Sequence, residues 1–319
     1  MARGRQTASA SCIGHSKMSA GGLLPAARTR ALRDALEQFS QGIQDASKRL
    51  RVVYSTRPDW DALSGERHYA VLDASFNPPT RAHLALASMP RSATDSKALY
   101  DAHILIFSVR NADKGRGRPG DASPLQRLEM IELLAKQLEK DLPKPNVAVA
   151  LVDEPLVFAK STLIHETLAK DAPLHLHYLM GSDTITRVFQ PKYYASEAHL
   201  ASSCTKFFEE EQSVMVCAER SAESVTGHAG HPDWSGDEAR SDELRTLLAS
   251  AGPAHDWYKR GAIQLRHLDP DAARHSSTAV RQFLQEVPTG DAARTALCQM
   301  VPDTLVDYLL AHNTYKKSE

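Results

Sequence analysis

The chain has 319 residues, of which 42% are hydrophobic and 24% are charged, and its formal net charge is −1. This composition is typical of a globular protein, and the near-zero charge argues against a nucleic-acid partner that needs a global basic field. Because no apolar run approaches the ~20 residues that span a bilayer and no two cysteines form a CxxC pair, we expect no membrane partner, disulfide framework or zinc site.

The N-terminal segment divides into a basic part and a helical part. Residues 1–33 contain several Arg and Lys residues but no Asp or Glu. We interpret this part as a polar tail of a cytoplasmic or nuclear protein, with a mitochondrial transit peptide as the alternative. A predicted amphipathic helix follows, because apolar residues recur every three or four positions. They are Leu32, Leu36, Phe39, Ile43, Ala46 and Leu50. We therefore predict an N-terminal extension over residues 1–65 and one catalytic domain over residues 66–319.

The main domain alternates short apolar runs with amphipathic segments. Strands are predicted over residues 68–76, 102–109, 146–152, 174–180, 213–218 and 262–268. Helices are predicted near residues 80–88, 161–169, 276–284 and 302–312, and another begins at Pro124 with Ser123 as its N-cap. Residues 221–260 are predicted to be a flexible insertion with one helix near 237–248. This order implies an α/β fold with a doubly wound parallel sheet, which binds ligands at the carboxyl ends of its strands.

The sequence ASFNPPTRAH, residues 74–83, lies where the first predicted strand of this domain gives way to a helix. The two prolines end the strand and fix the turn. Thr80 and His83 share one face of the first helical turn, where backbone N–H groups can bind an anion. Taken alone, the pattern also fits an ordinary helix start with a capping threonine and a half-buried histidine.

A second polar motif, RHSSTAVR, occupies residues 274–281. Three hydroxyl side chains at a predicted helix start suit a phosphate group, and Arg281 adds a bidentate positive charge about one turn further on. Taken alone, this motif also fits an ordinary N-cap followed by a surface arginine. The two motifs are more informative as a pair than either is separately.

Together these segments resemble the nicotinamide mononucleotide adenylyltransferases, within the HxGH-type nucleotidylyltransferases. ASFNPPTRAHLAL is similar to the family's GSFNPxTxxHL, and RHSSTAVR is similar to its ISSTxxR. LMGSD, at residues 179–183, is similar to the family's LxxGxD. VCAER, at residues 216–220, is similar to a strand that ends in a nucleotide-contacting arginine. Residues 111–127 are similar to a lysine-containing loop and its following arginine-bearing helix. The resemblance covers about residues 66–315 in the family's order, and it implies a Rossmann-like fold.

The resemblance also implies roles for individual residues. The implied catalytic residues are His83, Lys114 and Arg281. The implied nucleotide-binding residues are Ser75, Phe76, Thr80, Gly181, Asp183, Arg220, Ser276, Ser277 and Thr278. The implied reaction is attack of the 5′-phosphate of nicotinamide mononucleotide on the α-phosphorus of ATP, which gives NAD and pyrophosphate. Mg²⁺ is the implied cofactor, and it would be held mainly by the ATP phosphates, so no protein ligand is assigned.

Some positions depart from the family pattern. Ala74 replaces the first glycine of the turn, and His275 replaces the isoleucine of ISST. The family stacks the nicotinamide ring on aromatic side chains, but no Trp follows the third strand, so Phe158 and Tyr194 are the candidates here. Two alternatives therefore stay open, a different phosphorylated acceptor and an ATP-binding or ATP-hydrolysing stress or quality-control protein. A homo-oligomer is compatible with either.

Overall fold

A seven-stranded sheet forms the centre of the protein. The computed structural model describes residues 23–42, 49–110, 120–169, 172–219, 235–274, 276–286 and 290–315. Within these ranges the strands are β1 (Leu50–Ser55), β2 (Arg67–Asp73), β3 (Ala102–Ser108), β4 (Val147–Val152), β5 (Leu174–Gly181), β6 (Val214–Glu219) and β7 (Ile263–His267). β4 is buried at every position, as expected for a strand that helices cover on both faces.

The strand order defines the fold. Across the sheet it is β1-β4-β3-β2-β5-β6-β7, with β1 antiparallel to β4 and the other pairs parallel. Counted from β2, this is the 3-2-1-4-5-6 order of a doubly wound Rossmann-like sheet. The predicted fold class is confirmed. The order reverses between β2 and β5, which start the two halves of the sheet.

Helices cover both faces of the sheet. They are α1 (Ala26–Gly42), α2 (Arg81–Ala87), α3 (Pro124–Asp141), α4 (Val157–Leu168), α5 (Ser182–Val188), α6 (Glu197–Thr205), α7 (Ser235–Ala249), α8 (Pro253–Lys259), α9 (Pro270–Ala273), α10 (Ser277–Glu286), α11 (Asp291–Met300) and α12 (Asp303–His312). A 3₁₀ turn spans Pro191–Tyr193, and a π-helical turn, Lys206–Glu210, extends α6. No helix in the described ranges is long and apolar enough to cross a membrane.

The two faces of the sheet bury separate apolar cores. One core contains residues of α1, α3 and α12, such as Leu32, Leu128 and Leu305. The other contains residues of α4, α6 and α7, with Ile164 and Leu244 as examples. Alternate residues of each strand therefore point to opposite faces of the sheet and pack against different helices. The same alternation determines which side chains at the strand ends lie on each side of the cavity.

The N-terminal region differs from the sequence prediction. The predicted stripe continues to Leu50, but α1 ends at Gly42 and Leu50 begins β1, which pairs with β4. Ile43 and Ala46 lie outside the described residues. β1 was missed because this short edge strand begins at Leu50, a position that also continues the helical spacing of apolar residues from α1. Thus part of the expected extension belongs to the sheet, and α1 packs in the core through Leu32 and Phe39.

The predicted flexible insertion at 221–260 is also wrong for its second half. Residues 235–259 form α7 and α8, and the predicted helix near 237–248 corresponds to α7. Leu244, Leu248 and Trp257 are buried in the core. The flexible insertion was predicted because polar residues predominate between these three apolar residues, so that their helical spacing gives only a weak sequence pattern. Residues 220–234 lie outside the described ranges.

Candidate functional site

A cavity of about 420 Å³ opens at the carboxyl ends of β2 and β5, where Asp73 and Gly181 end their strands. The strand order reverses between these two strands, and doubly wound sheets bind ligands at that point. Most of the predicted site residues that the structure describes line this cavity. They are Ser75, Thr80, His83, Gly181, Asp183, Tyr194, Ser276, Ser277, Thr278 and Arg281.

The two polar motifs contact each other across the cavity wall. The Ser277 hydroxyl donates a 2.8 Å hydrogen bond to the carbonyl of Pro78. Arg281 donates through Nη1 to the carbonyl of Asn77, at 2.6 Å. The start of α10 therefore packs against the turn that follows β2, although the two segments lie about 200 residues apart. Side chains from both motifs consequently share one cavity.

The His83 ring is oriented by Thr80. The backbone N–H of Thr80 donates to His83 Nδ1 at 3.1 Å, and Thr80 Oγ1 lies 2.9 Å from the same nitrogen. Because a backbone N–H can only donate, Nδ1 acts as an acceptor, and the proton of the neutral ring is on Nε2. His83 therefore provides an Nε2–H donor at the cavity wall. The contact also satisfies a backbone N–H at the start of α2.

Phe76 packs in the core behind this turn and does not line the cavity. Its side chain is fully buried, and its ring centroid lies 5.5 Å from that of His83. Its φ angle of 46° places it in the left-handed region, which is uncommon for residues other than glycine. Backbone conformations of this kind are concentrated at functional turns. Phe76 is thus placed as a wall behind the histidine, while Ser75 lines the cavity itself.

The start of α10 uses part of its hydroxyl set for helix capping. Ser276 Oγ accepts a 3.1 Å hydrogen bond from the backbone N–H of Ala279, so the ordinary N-cap interpretation holds for this residue. Thr278 Oγ1 accepts from Arg281 Nη2 at 3.1 Å. Arg281 has five N–H donors, and its contacts with Asn77 and Thr278 use one donor on each terminal nitrogen. The guanidinium is therefore held in place with further donor capacity.

The end of β5 and the first turn of α5 contribute Gly181 and Asp183 to the cavity. Gly181 is the N-cap of α5, and a Cβ atom there would lie 3.4 Å from Asp183 Oδ1. Asp183 pairs with Arg187 one turn later, with 3.4 Å between Oδ2 and Nη2. A larger residue at 181 would therefore crowd the carboxylate. This carboxylate lines the cavity, is partly exposed and has a basic neighbour.

The two predicted aromatic residues are placed differently. Tyr194 lines the cavity, and its hydroxyl donates a 2.6 Å hydrogen bond to the Val188 carbonyl. Phe158 does not line it, because α4 begins at Val157 and turns this ring into the core against Phe207. The expectation that Phe158 stacks on a ligand is therefore wrong for this structure. Helix α4 was predicted to begin near Ser161, and that error misplaced Phe158.

Lys114 and Arg220 lie outside the described residues, so their predicted roles remain predictions. Sequence reasoning missed another basic residue, Lys160, which lines the cavity with only 4% of its surface exposed. Its Nζ forms a 2.5 Å ion pair with Asp73 Oδ2. No local pattern indicates this pair, since its members are separated by 87 residues.

Two further arginines line the cavity. Arg127 donates from Nε to the Ser75 carbonyl at 2.8 Å and stacks over the Phe107 ring, with burial lowering the pKa of its guanidinium. Arg110 forms a bidentate pair with Asp153, whose side chain is fully buried. The resemblance of residues 111–127 to a lysine-containing loop and a following arginine-bearing helix assigns neither arginine to the site.

The charges around the cavity suit a polyanion. Five basic side chains line it, and three of them form ion pairs with Asp73, Asp183 and the buried Asp153. The other two, Arg127 and Arg281, give the cavity an excess of positive charge. Among the residues that the structure describes, no group of three or more His, Cys, Asp or Glu side chains is arranged to hold a metal ion.

These features define a Rossmann-like α/β protein with a basic ligand cavity at its topological switch point. No family model matches the chain. A curated Schizosaccharomyces pombe protein, named "Putative nicotinamide mononucleotide adenylyltransferase", is 28% identical over 192 residues. The match covers 60% of this chain and 65% of that protein, slightly under two thirds of its length. It supports the resemblance that the motifs indicate.

A solved structure gives a weaker similarity. It is titled "Plasmodium falciparum nicotinic acid mononucleotide adenylyltransferase complexed with APC", with a TM-score of 0.44 and 14% identity. The alignment covers 78% of this chain and 98% of that chain. At these values the similarity adds no argument about function.

Proposed function

We propose that the protein is an adenylyltransferase that joins nicotinamide mononucleotide to ATP and releases pyrophosphate. One observation carries this proposal: the turn after β2 and the start of α10 meet through Ser277 and Arg281 at one cavity. Hydroxyls, an imidazole N–H donor and guanidinium groups then surround a space suited to phosphate groups. The curated relative's name supports the same reaction class.

The reaction needs alignment and charge stabilisation more than acid–base chemistry. An oxygen of the acceptor's 5′-phosphate attacks the α-phosphorus of ATP, and the bond from that phosphorus to the β-phosphate oxygen breaks as pyrophosphate leaves. Since the attacking phosphate is already ionised, no general base is required. His83 Nε2–H and the Arg281 guanidinium would donate to phosphate oxygens as negative charge moves to the leaving group. Lys114 is proposed to add a second positive charge beside Arg281.

The protein would hold the metal cofactor indirectly. Mg²⁺ bound to the ATP phosphates supplies charge neutralisation. The Asp73 and Asp183 carboxylates each have a basic partner, Lys160 and Arg187. The residues of this chain would then bind the phosphates, orient the two reactants in line and restrict water at the α-phosphorus.

In a second candidate function, the protein binds ATP but does not use nicotinamide mononucleotide as the acceptor. The wall between β4 and α4 presents Pro155, Leu156 and Val157, while Phe158 is buried. Among the described residues, the aromatic side chains that line the cavity for a nicotinamide ring are therefore Tyr193 and Tyr194, with none from this wall. This observation favours an ATP-hydrolysing protein, or a transferase with another phosphorylated acceptor. In the hydrolase, water would replace the acceptor phosphate as the nucleophile.

Product analysis separates these candidates. Purified full-length protein would be incubated with Mg-ATP, with and without nicotinamide mononucleotide, and NAD, pyrophosphate and inorganic phosphate would be quantified. The proposal expects NAD and pyrophosphate in equal amounts, only when the mononucleotide is present. Pyrophosphate without a dinucleotide, or inorganic phosphate alone, would refute it and favour hydrolysis.

A further inference from the structure

The Asp73–Lys160 ion pair lies in the cavity and has no role in the chemistry described above. Asp73 ends β2, and Lys160 belongs to the first turn of α4. The side chains are 13% and 5% exposed, and both residues line the cavity. Two opposite charges are thus held together in the lining of a ligand cavity, close to the point where strand order reverses.

This ion pair belongs to a different half of the cavity from the two polar motifs. Leu72 points to the core beneath α2 and α3, whereas Val71 points to the core beneath α4. Asp73 has the same orientation as Val71, because side chains alternate along a strand. His83 and Arg281 therefore lie on the α2 and α10 side, and the ion pair lies on the α4 side with Tyr194. If ATP occupies the first side, the acceptor occupies the second.

Stability alone is a weak reason for such a pair. Removing two charges from water costs several kcal/mol per ion, and apolar replacements are often as stable. Lys160 and Asp73 also retain unused capacity. An ammonium group has three N–H donors and a carboxylate has two accepting oxygens, yet the described residues provide no further hydrogen-bond partner for either group. A ligand can therefore accept from Lys160 and donate to Asp73 at the same time.

We propose that the Asp73–Lys160 pair is a specificity determinant that selects a carboxamide-bearing acceptor over its carboxylate analogue. A carboxamide has a carbonyl that accepts from Lys160 and an NH₂ group that donates to Asp73. A carboxylate has only acceptors, so it would be repelled by Asp73 and leave that oxygen unpaired. This inference rests on the proposed adenylyl transfer, and it names the feature of the acceptor that this cavity distinguishes.

The test compares two acceptors, nicotinamide mononucleotide and nicotinic acid mononucleotide. With Mg-ATP, kcat/KM would be measured for both in the wild type, Asp73→Asn, Lys160→Met and the double variant. The wild type should prefer the amide by about 10-fold or more. Asp73→Asn should lower the amide-to-acid ratio by about 10-fold or more, because Lys160 is then an unpaired cation that attracts the carboxylate. Lys160→Met should reduce use of the amide without improving use of the acid.

Asp101→Asn is the matched control. Asp101 pairs with Lys144, 3.6 Å away, and hydrogen-bonds to the backbone N–H of His68, two residues into β2 and far from its carboxyl end. This substitution should leave the acceptor ratio unchanged. If a single variant unfolds, the wild-type ratio and the double variant, which removes both charges together, still test the inference. The double variant should lose the amide preference without gaining an acid preference.

The outcomes separate the two claims. Equal use of both acceptors by the wild type, or preference for the acid, would overturn the selectivity while leaving adenylyl transfer intact. An unchanged ratio in folded Asp73→Asn would do the same. Failure of both acceptors to give a dinucleotide would instead refute the proposed function, and the inference would fail with it.

Discussion

His83→Ala tests whether this histidine acts in catalysis or only caps α2. The substitution removes the Nε2–H donor and also the Nδ1 acceptor for the Thr80 N–H, 3.1 Å away. Loss of one preorganised donor to the transition state costs about 10²–10³-fold in kcat, or about 2.7–4 kcal/mol. Loss of a cap costs about 1 kcal/mol of folding stability. We therefore expect a large loss of activity with a small loss of stability.

His83→Asn separates the two contributions. The asparagine carbonyl can still accept from the Thr80 N–H, but the side chain is too short to replace the Nε2–H donor. We expect near wild-type stability by urea denaturation together with the same roughly 10²-fold or greater loss of kcat. His312→Ala, at the distant end of α12, is the matched control and should leave kcat unchanged. A wild-type rate in His83→Ala would show that the histidine only caps the helix.

Three further predictions follow from the same structure. Arg281→Lys should lower kcat/KM by about 10–100-fold, because an ammonium cannot hold the Asn77 carbonyl and a phosphate with the geometry of a guanidinium; steady-state kinetics with Mg-ATP checks this. Arg28→Ala should lower the free energy of unfolding by about 1–3 kcal/mol in urea titrations, since it removes the 2.7 Å pair with the buried carboxylate of Glu132. Stability should decline as pH falls below about 6.5, because burial and positive neighbours lower the pKa of His177 to about 3 and the unfolded chain then binds more protons; thermal melts against pH measure the slope.

Each of these predictions has a control. Arg294→Lys changes a surface arginine paired with Asp307 and should not affect kcat/KM. Arg51→Ala removes an exposed hydrogen bond to Gln38 and should change stability by less than about 0.5 kcal/mol. His177→Gln should flatten part of the pH dependence. Wild-type kinetics in Arg281→Lys, an unchanged unfolding midpoint in Arg28→Ala, or a flat melting profile between pH 4 and about 6.5 would each contradict the corresponding reasoning.

The sequence predicted the parts of the fold that have local signals. Strands β2 to β7 were found because each is a short apolar run bounded by turn residues, and α3 was found through Ser123 and Pro124, with Ser123 accepting from the Gln126 N–H. β1 was missed because edge strands carry a weak pattern. The π-helical turn after α6 and the packing of α7 depend on tertiary contacts, which no local spacing encodes.

The candidate site shows the same division. The two motifs were recognisable from residue types, but their meeting through Asn77 and Arg281 required the three-dimensional fold. The Asp73–Lys160 pair could not be predicted, since it depends on β2 ending beside the first turn of α4. Phe158 was misassigned for a related reason, because a shift of four residues in a helix start changes which side chains face the cavity.

The central claim is transfer of AMP from ATP to an oxygen of the acceptor's phosphate, and oxygen labelling tests it most directly. The purified protein would be incubated with unlabelled Mg-ATP and with nicotinamide mononucleotide that carries ¹⁸O on the terminal oxygens of its phosphate. The ¹⁸O content of each product would then be measured by mass spectrometry. Bond formation between an oxygen of the acceptor's phosphate and the α-phosphorus of ATP predicts that all the label stays in NAD and that pyrophosphate is unlabelled. Label in pyrophosphate, or inorganic phosphate formed without a dinucleotide, would contradict the claim.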